Sequence, residues 1–444
     1  MDREGQACCD STGEKPPQPG LLLVFSAGVP MCVALPLQGG SIELGRGDAR
    51  LSGHDPRMSR RHARVSFDGN HFVVEDLGSH NGSMADGEPV PVHLPHIVRH
   101  LLRLGDSLFL VCPDVQHFDA LGVKVSDGYV MGPAQQTLLV SIEQAARFGN
   151  PLHITGESGT GKEHIAHTFH RHGPLQTGRF VSVNCAAIPH GLAERLLFGA
   201  RRGAYSGANE DTIGYIEAAA GGTLFLDELA ELDLGTQAKL LRVIESKELI
   251  PLGAWRSKTV DFQICSATNK ELRTQVASGL FREDLYFRLG RPSIALPPLR
   301  NRPEEIPFLV EQAVRRVSAD LSIQTSFLER CLLRPWPGNV RELLVEARTA
   351  AQSAVARSCA QLQACHLSPS AGSAFANPEV TISREEPLAP RERSPTETAE
   401  RVRISEVLRV HRGNVSASAR ELGMHRTQLT RLLDRYQIDP RRFS

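Results

Sequence analysis

Leu152-His153-Ile154-Thr155-Gly156-Glu157-Ser158-Gly159-Thr160-Gly161-Lys162-Glu163 is the stretch on which the reading of this 444-residue chain turns. Four residues of strand type run into a glycine-rich loop that ends on a lysine at a helix start. The glycines let backbone N–H groups face a phosphate chain, and Lys162 adds a point charge near the β and γ phosphates. The Ser or Thr that usually follows the lysine is replaced by Glu163, so magnesium must rely more on a second motif. That motif is Gly222-Thr223-Leu224-Phe225-Leu226-Asp227-Glu228, a buried strand ending in two acids. Asp227 is suited to holding Mg²⁺ with its water shell and Glu228 to polarising an attacking water. A phosphate loop alone can arise by chance, but the two motifs in order, each on a strand, imply an ATP site.

The length suggests about three domains at ~150 residues each. Hydrophobic residues make up 41% and charged residues 23%, and 50 Lys plus Arg balance 50 Asp plus Glu. No global charge field therefore points to nucleic acid. The start, Met1-Asp2-Arg3-Glu4, lacks an apolar run of signal-peptide type, and no stretch of ~18 apolar residues occurs, so a cytoplasmic protein is expected. Nine cysteines without zinc spacing fit reduced thiols better than a disulfide framework.

Composition divides the chain. Residues 1–20, rich in proline and glycine, read as a disordered leader. Residues 21–112 alternate short apolar runs with Gly, Asp and Pro turns, the pattern of an all-β sandwich. A linker over 113–128 precedes residues 129–367, where strands alternate with helical segments, an α/β architecture with a parallel sheet and a helical end. Residues 368–395, rich in Pro, Ser, Ala and Glu, read as a flexible tether, and residues 396–444 as a helical, arginine-rich domain.

Further motifs in the α/β segment resemble the sigma-54-dependent, enhancer-binding AAA+ transcriptional activators, and Glu163 after the lysine is itself a mark of that family. Asn184, at the end of Val183-Asn184-Cys185-Ala186-Ala187, resembles the asparagine that holds the catalytic glutamate inactive, so it is expected to gate Glu228. Thr268 and Asn269 resemble sensor I, which feels the γ-phosphate. Arg288, with Arg282 as companion, resembles the arginines sent into a neighbouring subunit's site, where such a group contributes ~10³-fold or more in rate. Arg341, in Trp336-Pro337-Gly338-Asn339-Val340-Arg341, resembles sensor II. Between the nucleotide motifs lies Gly203-Ala204-Tyr205-Ser206-Gly207-Ala208, similar to the loop by which these activators contact sigma-54, with Tyr for Phe and Ser for Thr.

Arg46, Ser59 and Arg60 sit in Leu44-Gly45-Arg46 and Ser59-Arg60-Arg61-His62, followed by Asp76-Leu77-Gly78-Ser79-His80-Asn81-Gly82. These motifs resemble the forkhead-associated (FHA) domain. By that resemblance Arg46, Ser59 and Arg60 bind phosphothreonine, His80 and Asn81 hold the peptide backbone, and His62 is a buried structural histidine. Guanidinium, hydroxyl and amide groups are the chemistry that a phosphate needs. The input is then a threonine-phosphorylated protein or a Ser/Thr kinase, a two-component-like arrangement without a receiver.

Gly413-Asn414, a helix, Gly423-Met424 and a second helix have helix-turn-helix spacing and resemble the Fis-type domain of the same activators. Leu429, Leu432 and Leu433 are expected to pack inward, leaving His425, Arg426, Thr427, Gln428, Thr430 and Arg431 for the major groove. The resemblance implies a protein that uses ATP and Mg²⁺ to remodel sigma-54 RNA polymerase. Enhancer DNA with an inverted repeat, and assembly from dimer to hexameric ring, go with it. Two other readings compete: a DNA-binding regulator whose ATPase does not act on sigma-54, and a phosphopeptide-binding scaffold with a vestigial motor.

Overall fold

The computed structural model describes residues 16–51, 55–126, 128–189, 191–204, 209–374, 403–404, 406–411, 414–425, 428–429 and 433. The chain divides into two units, Met1–Phe375 and Ala376–Ser444.

The first unit begins with a β-sandwich. Its strands are β1 Gly20–Ser26, β2 Val29–Pro36, β3 Ser41–Leu44, β4 Ala63–Phe67, β5 Phe72–Asp76, β6 Ser83–Ala85, β7 Glu88–Pro89, β8 Pro95–Val98, β9 Leu101–Leu104 and β10 Ser107–Cys112. One antiparallel sheet runs β2-β1-β10-β9-β6-β7 and the other β3-β4-β5-β8. Leu21 and Leu23 of β1 point into the sandwich with Leu44, Val65, Val74 and Phe109. Leu22, Val24 and Phe25 belong to a different core, joined by Leu108 and Leu110 of β10. A register shift between Leu23 and Phe25 against both neighbouring strands puts the consecutive Val24 and Phe25 into that second core. The whole of β1 is consequently buried, which is why it reads as a continuous apolar run and not as an alternation.

Order extends on both sides of the expected sandwich. The strand starts at Gly20, and Pro16 and Gln18 are tied to the chain beyond β10: Gln116 Nε2 donates to the Pro16 carbonyl at 2.7 Å and Gln18 N–H to Asp114 Oδ1 at 3.2 Å. Residues 113–128, expected as a linker, hold α1 Gln116–Leu121 and β11 Lys124–Ser126, the latter paired with β12 Tyr129–Met131. A six-residue helix has too few turns to show a period, and its stability comes from tertiary packing, here through Val115 and Phe118.

An α/β layer follows: α2 Pro133–Arg147, β13 Leu152–Thr155, α3 Lys162–His172, β14 Phe180–Asn184, α4 Ala193–Phe198, α5 Tyr215–Ala218, β15 Thr223–Asp227, α6 Leu234–Ser246, β16 Glu248–Leu249, β17 Lys258–Thr259, β18 Gln263–Thr268, α7 Leu272–Ala277, α8 Glu283–Leu289 and β19 Ser293–Ala295. The parallel sheet has the order β14-β15-β18-β13-β19. Asn184 pairs in register with Asp227, and Thr155 with Thr268, so the carboxyl ends of four strands line up at one edge. That edge is where open α/β sheets bind ligands.

A helical lid completes the unit, with α9 Ile306–Arg315, β20 Ser322–Ile323, α10 Thr325–Leu332, α11 Asn339–Ala356 and β21 Gln361–Leu362. Val310, Phe327, Leu328, Trp336 and Leu343 pack together with the outward face of β1, so sandwich and lid share one core.

In the second unit α12 Val415–Glu421 is capped by Asn414, whose Oδ1 accepts from the N–H groups of Ser416 and Ala417. Ile404, Leu408, Ala419, Leu429 and Leu433 are buried together. Leu432 lies outside the described residues. Among the described residues no helix is long and apolar enough to cross a membrane.

Candidate functional site

The nucleotide cleft opens where β13 meets α3. Gly161 adopts φ 102°, a left-handed conformation that lets the loop turn directly into the helix beginning at Lys162. Lys162 is only 7% exposed. Its ammonium donates to the carbonyls of Gly156 and Glu157 at 3.0 and 3.3 Å and lies 3.7 Å from Glu228 Oε1. Glu228 itself sits at φ 51° and accepts from the Asn269 N–H at 3.2 Å, while Asp227 Oδ1 accepts from the Glu228 N–H at 3.0 Å. Lys162, Asn184, Asp227 and Glu228 all line one cleft of about 470 Å³.

In this geometry the Asn184 side chain bonds within its own turn. Its Oδ1 accepts from the Ala186 N–H at 2.9 Å, capping a short turn, and Glu228 is held by Lys162 and by the main chain of Asn269. Thr268 is fully buried and its hydroxyl oxygen accepts from the Lys270 N–H. Arg341 reaches down from α11 to Ser158 Oγ at 3.1 Å and lines the cleft. Arg282 is bound to Asp284 on the surface, and neither it nor Arg288 is among the described residues lining the cleft of its own chain.

A network that ties the lid to the phosphate loop completes the site. Asn339, fully buried, donates from Nδ2 to the Ser158 carbonyl at 3.0 Å and to Glu157 Oε2 at 3.1 Å. Arg300 grips Glu157 with two bonds of 2.9 and 2.6 Å, and these bonds, then that from Asn339, keep the Glu157 carboxyl below its ordinary range. Arg302 donates to the Thr160 carbonyl at 2.8 Å and to Glu305 at 2.7 Å, a pair almost wholly out of water. Glu305 accepts from the Gly132 N–H at 2.7 Å as well; burial raises its pKa, with Arg302 acting in the opposite direction. Lid, phosphate loop and the strand entering the layer are thus latched by one polar network. The remainder of the cleft is a slot between Tyr129, Val130, Leu309, Val340 and Leu344, with Gln312 and Arg316 at its margin. It is of a kind that takes a flat, partly apolar group such as a purine. Asn339 stood inside the quoted lid motif and was the one signal for this network in the sequence.

Among the described residues no three acidic, histidine or cysteine side chains cluster as a metal site. Asp227 lines the cleft beside Lys162 and Glu228, a hard oxygen donor of the kind that suits Mg²⁺ held through water.

In the sandwich, the phosphopeptide candidates share one end. The Arg46 N–H donates to the Ser59 carbonyl at 2.9 Å, the His80 N–H to Ser59 Oγ at 3.0 Å and Asn81 Nδ2 to the Arg57 carbonyl at 2.6 Å. Arg46, Arg60, His80 and Asn81 are exposed. His62 is buried, accepts from the Ser59 N–H at Nδ1 and meets the Gly82 carbonyl at Nε2; burial lowers its pKa. A Cβ on Gly45 would stand 1.9 Å from the Arg60 carbonyl oxygen, so only glycine lets the two arginine-bearing loops approach.

Of the loop between the nucleotide motifs, Gly203 and Ala204 are described, whereas Tyr205, Ser206, Gly207 and Ala208 lie outside the described residues. Its stems are pinned by an Arg201–Asp211 ion pair and by Arg201 N–H donating to the Leu252 carbonyl at 2.9 Å. In the second unit His425 and Gln428 are exposed at the start of a helical turn, and Arg426, Thr427, Thr430 and Arg431 lie outside the described residues.

Three family models match in sequence: the FHA domain over residues 42–108, the sigma-54 interaction domain over 130–295 and the bacterial regulatory protein, Fis family, over 396–436. The transcriptional regulatory protein GlrR of Escherichia coli K12 is 34% identical over 316 residues, covering 70% of this chain and 68% of that protein. The chain belongs to the sigma-54 activator family. The nitric oxide reductase transcription regulator NorR1 of Cupriavidus necator is 39% identical over 327 residues, 70% of this chain and 64% of that one. The chain spans about half to two thirds of the length of most of the curated relatives it matches. A crystal structure of NtrX from Brucella abortus in complex with ADP is 30% identical with TM-score 0.50, covering 69% of this chain and 68% of that one. In this member of the family the FHA domain precedes the sigma-54 interaction domain and the Fis-type helix-turn-helix follows it.

Proposed function

We propose that the chain is a sigma-54-dependent transcriptional activator that binds enhancer DNA and spends ATP hydrolysis on opening promoter complexes of sigma-54 RNA polymerase. The observation that carries the reading is the cleft in which Lys162, Asp227, Glu228 and Arg341 converge at the carboxyl edge of the sheet. Asp227 would hold Mg²⁺ through water, and the ion would supply charge neutralisation to the nucleotide phosphates. Lys162 leaves Glu228 for the phosphates, Glu228 orients the attacking water, and Asn269 reports the γ-phosphate to the base through its main-chain bond. Arg288 and Arg282, standing outside their own cleft, serve a neighbouring subunit in a ring. Asn184, beside Asp227 in register, gates Glu228 by exchanging its Ala186 contact for the glutamate. The loop from Gly203 to Ala208 delivers the movement to sigma-54.

The FHA domain supplies the input by binding a phosphothreonine protein through Arg46, Ser59, Arg60, His80 and Asn81. The output helices place His425, Arg426, Thr427, Gln428, Thr430 and Arg431 in the major groove of an inverted repeat. Reconstituted open-complex formation with sigma-54 polymerase, with and without a phosphothreonine ligand, tests the whole. ATP-dependent transcription by a Lys162→Ala protein would refute it.

A further inference from the structure

A cleft of about 610 Å³ lies between the sandwich and the lid, outside the nucleotide site. One wall carries Arg57, Asn81 and Asp106, the other Ser322, Gln324 and Gln361. The walls are fixed relative to each other. Beneath them β1 and the lid share a core, Arg103 meets Glu329 at 2.6 Å, and Thr325 Oγ1 donates to the Asp106 carbonyl at 3.1 Å.

The cleft also begins where the phosphothreonine loops end. Asn81, expected to hold a peptide main chain, lines it and is bonded to the Arg57 carbonyl, and Arg57 is two residues from Ser59. The opposite wall carries polar side chains: Ser322 and Gln361 are exposed and Gln324 half-buried, and Gln324 donates to Gln361 Oε1 at 3.0 Å, which leaves the Gln361 amide N–H groups and the Ser322 hydroxyl oxygen to meet a peptide. Arg57 is 60% exposed and only loosely paired, 3.5 Å from Asp106. An extended peptide anchored at Ser59 and Asn81 meets these groups as it leaves the phosphate loops.

The geometry points to a composite phosphopeptide site: the residues flanking the phosphothreonine lie in this cleft and are bound by the lid as well as by the FHA domain. The inference rests on the phosphopeptide reading above. It gives that reading a route to the motor, because the same lid carries Arg341 and Asn339 to the phosphate loop. Peptide and nucleotide then alter each other's affinity by one common factor, as linkage requires.

The test measures fluorescence anisotropy of the full chain with two degenerate phosphothreonine peptide libraries, one with about four residues on each side of the phosphothreonine and one with a single residue. The Gln324→Ala/Gln361→Ala protein is expected to bind the long library about tenfold more weakly, the effect of roughly two lost hydrogen bonds, and the short library as wild type does. An unchanged Kd for the long library overturns the composite site alone. Failure of the wild-type chain to bind either library overturns the phosphopeptide reading beneath it. A benzophenone placed beside the phosphothreonine gives a second readout on unaltered protein. Crosslinks to residues 322–326 or 361 are expected, and crosslinks confined to the sandwich overturn the proposal.

Discussion

Lys162 Nζ and Glu228 Oε1 stand 3.7 Å apart, so the cation proposed for the phosphates and the proposed base are paired with each other. Glu228→Gln keeps the shape and removes the base. We expect phosphate release to fall ~10²–10⁴-fold while a fluorescent ATP analogue binds at least as tightly as to wild type. Lys162→Ala is expected to lose binding itself. Equal loss of nucleotide affinity in both variants would show that Glu228 has no separate catalytic part.

The buried Arg302–Glu305 pair makes a stability prediction. Arg302→Met strands Glu305 and frees the Thr160 carbonyl, and the loss is expected at about 3–5 kcal/mol, read as a lowered urea midpoint. Adding Glu305→Gln should recover part of it. A single variant with an unshifted midpoint would contradict the latch.

His153 lies in β13 with Nδ1 2.9 Å from Ser266 Oγ, and burial pushes its pKa down to about 4. Unfolded histidine titrates near 6.5. Between the two values the unfolded chain binds the extra proton, so the contribution is intact above pH 6.5, shrinks as pH falls through the window and is flat below 4. His153→Gln is expected to be less sensitive to acid over pH 6.5 to 5, by up to ~2 kcal/mol. Parallel pH curves of unfolding free energy would assign the acid lability elsewhere.

Asn414 spends its side-chain oxygen on two N–H groups of α12. Asn414→Ala should destabilise the second unit by ~1 kcal/mol and lower the affinity for enhancer fragments selected from genomic DNA. The ATPase activity of the first unit should be untouched. A defect in ATPase and none in DNA binding would be the contrary result.

What the sequence made legible was whatever is contiguous. Gly156 to Glu163 and Gly222 to Glu228 each sit on one strand end, and both occupy the cleft. The turn at Gly423 and the inward residues Leu429 and Leu433 were likewise readable, since helical spacing sorts faces locally. Arg300, Arg302 and Glu305 escaped notice because their partners, Glu157, Thr160 and Gly132, lie more than 140 residues away in the chain. Helix α1 escaped because six residues carry no measurable period. Asn184 was placed on the right strand end beside Asp227, but its side chain has a local N–H within reach, and spacing alone does not reveal such a competing partner.

The apolar run Leu21 to Phe25 limits how this chain can be taken apart. Because β1 contributes one face to the sandwich and the other to the lid, no cut in the chain separates the FHA domain from the lid cleanly. A graft that replaced residues 1–112 with another input module would leave Val310, Leu328 and their neighbours bare to water unless the newcomer brought a matching strand. Exchange of the FHA domain therefore demands that the lid surface be exchanged with it.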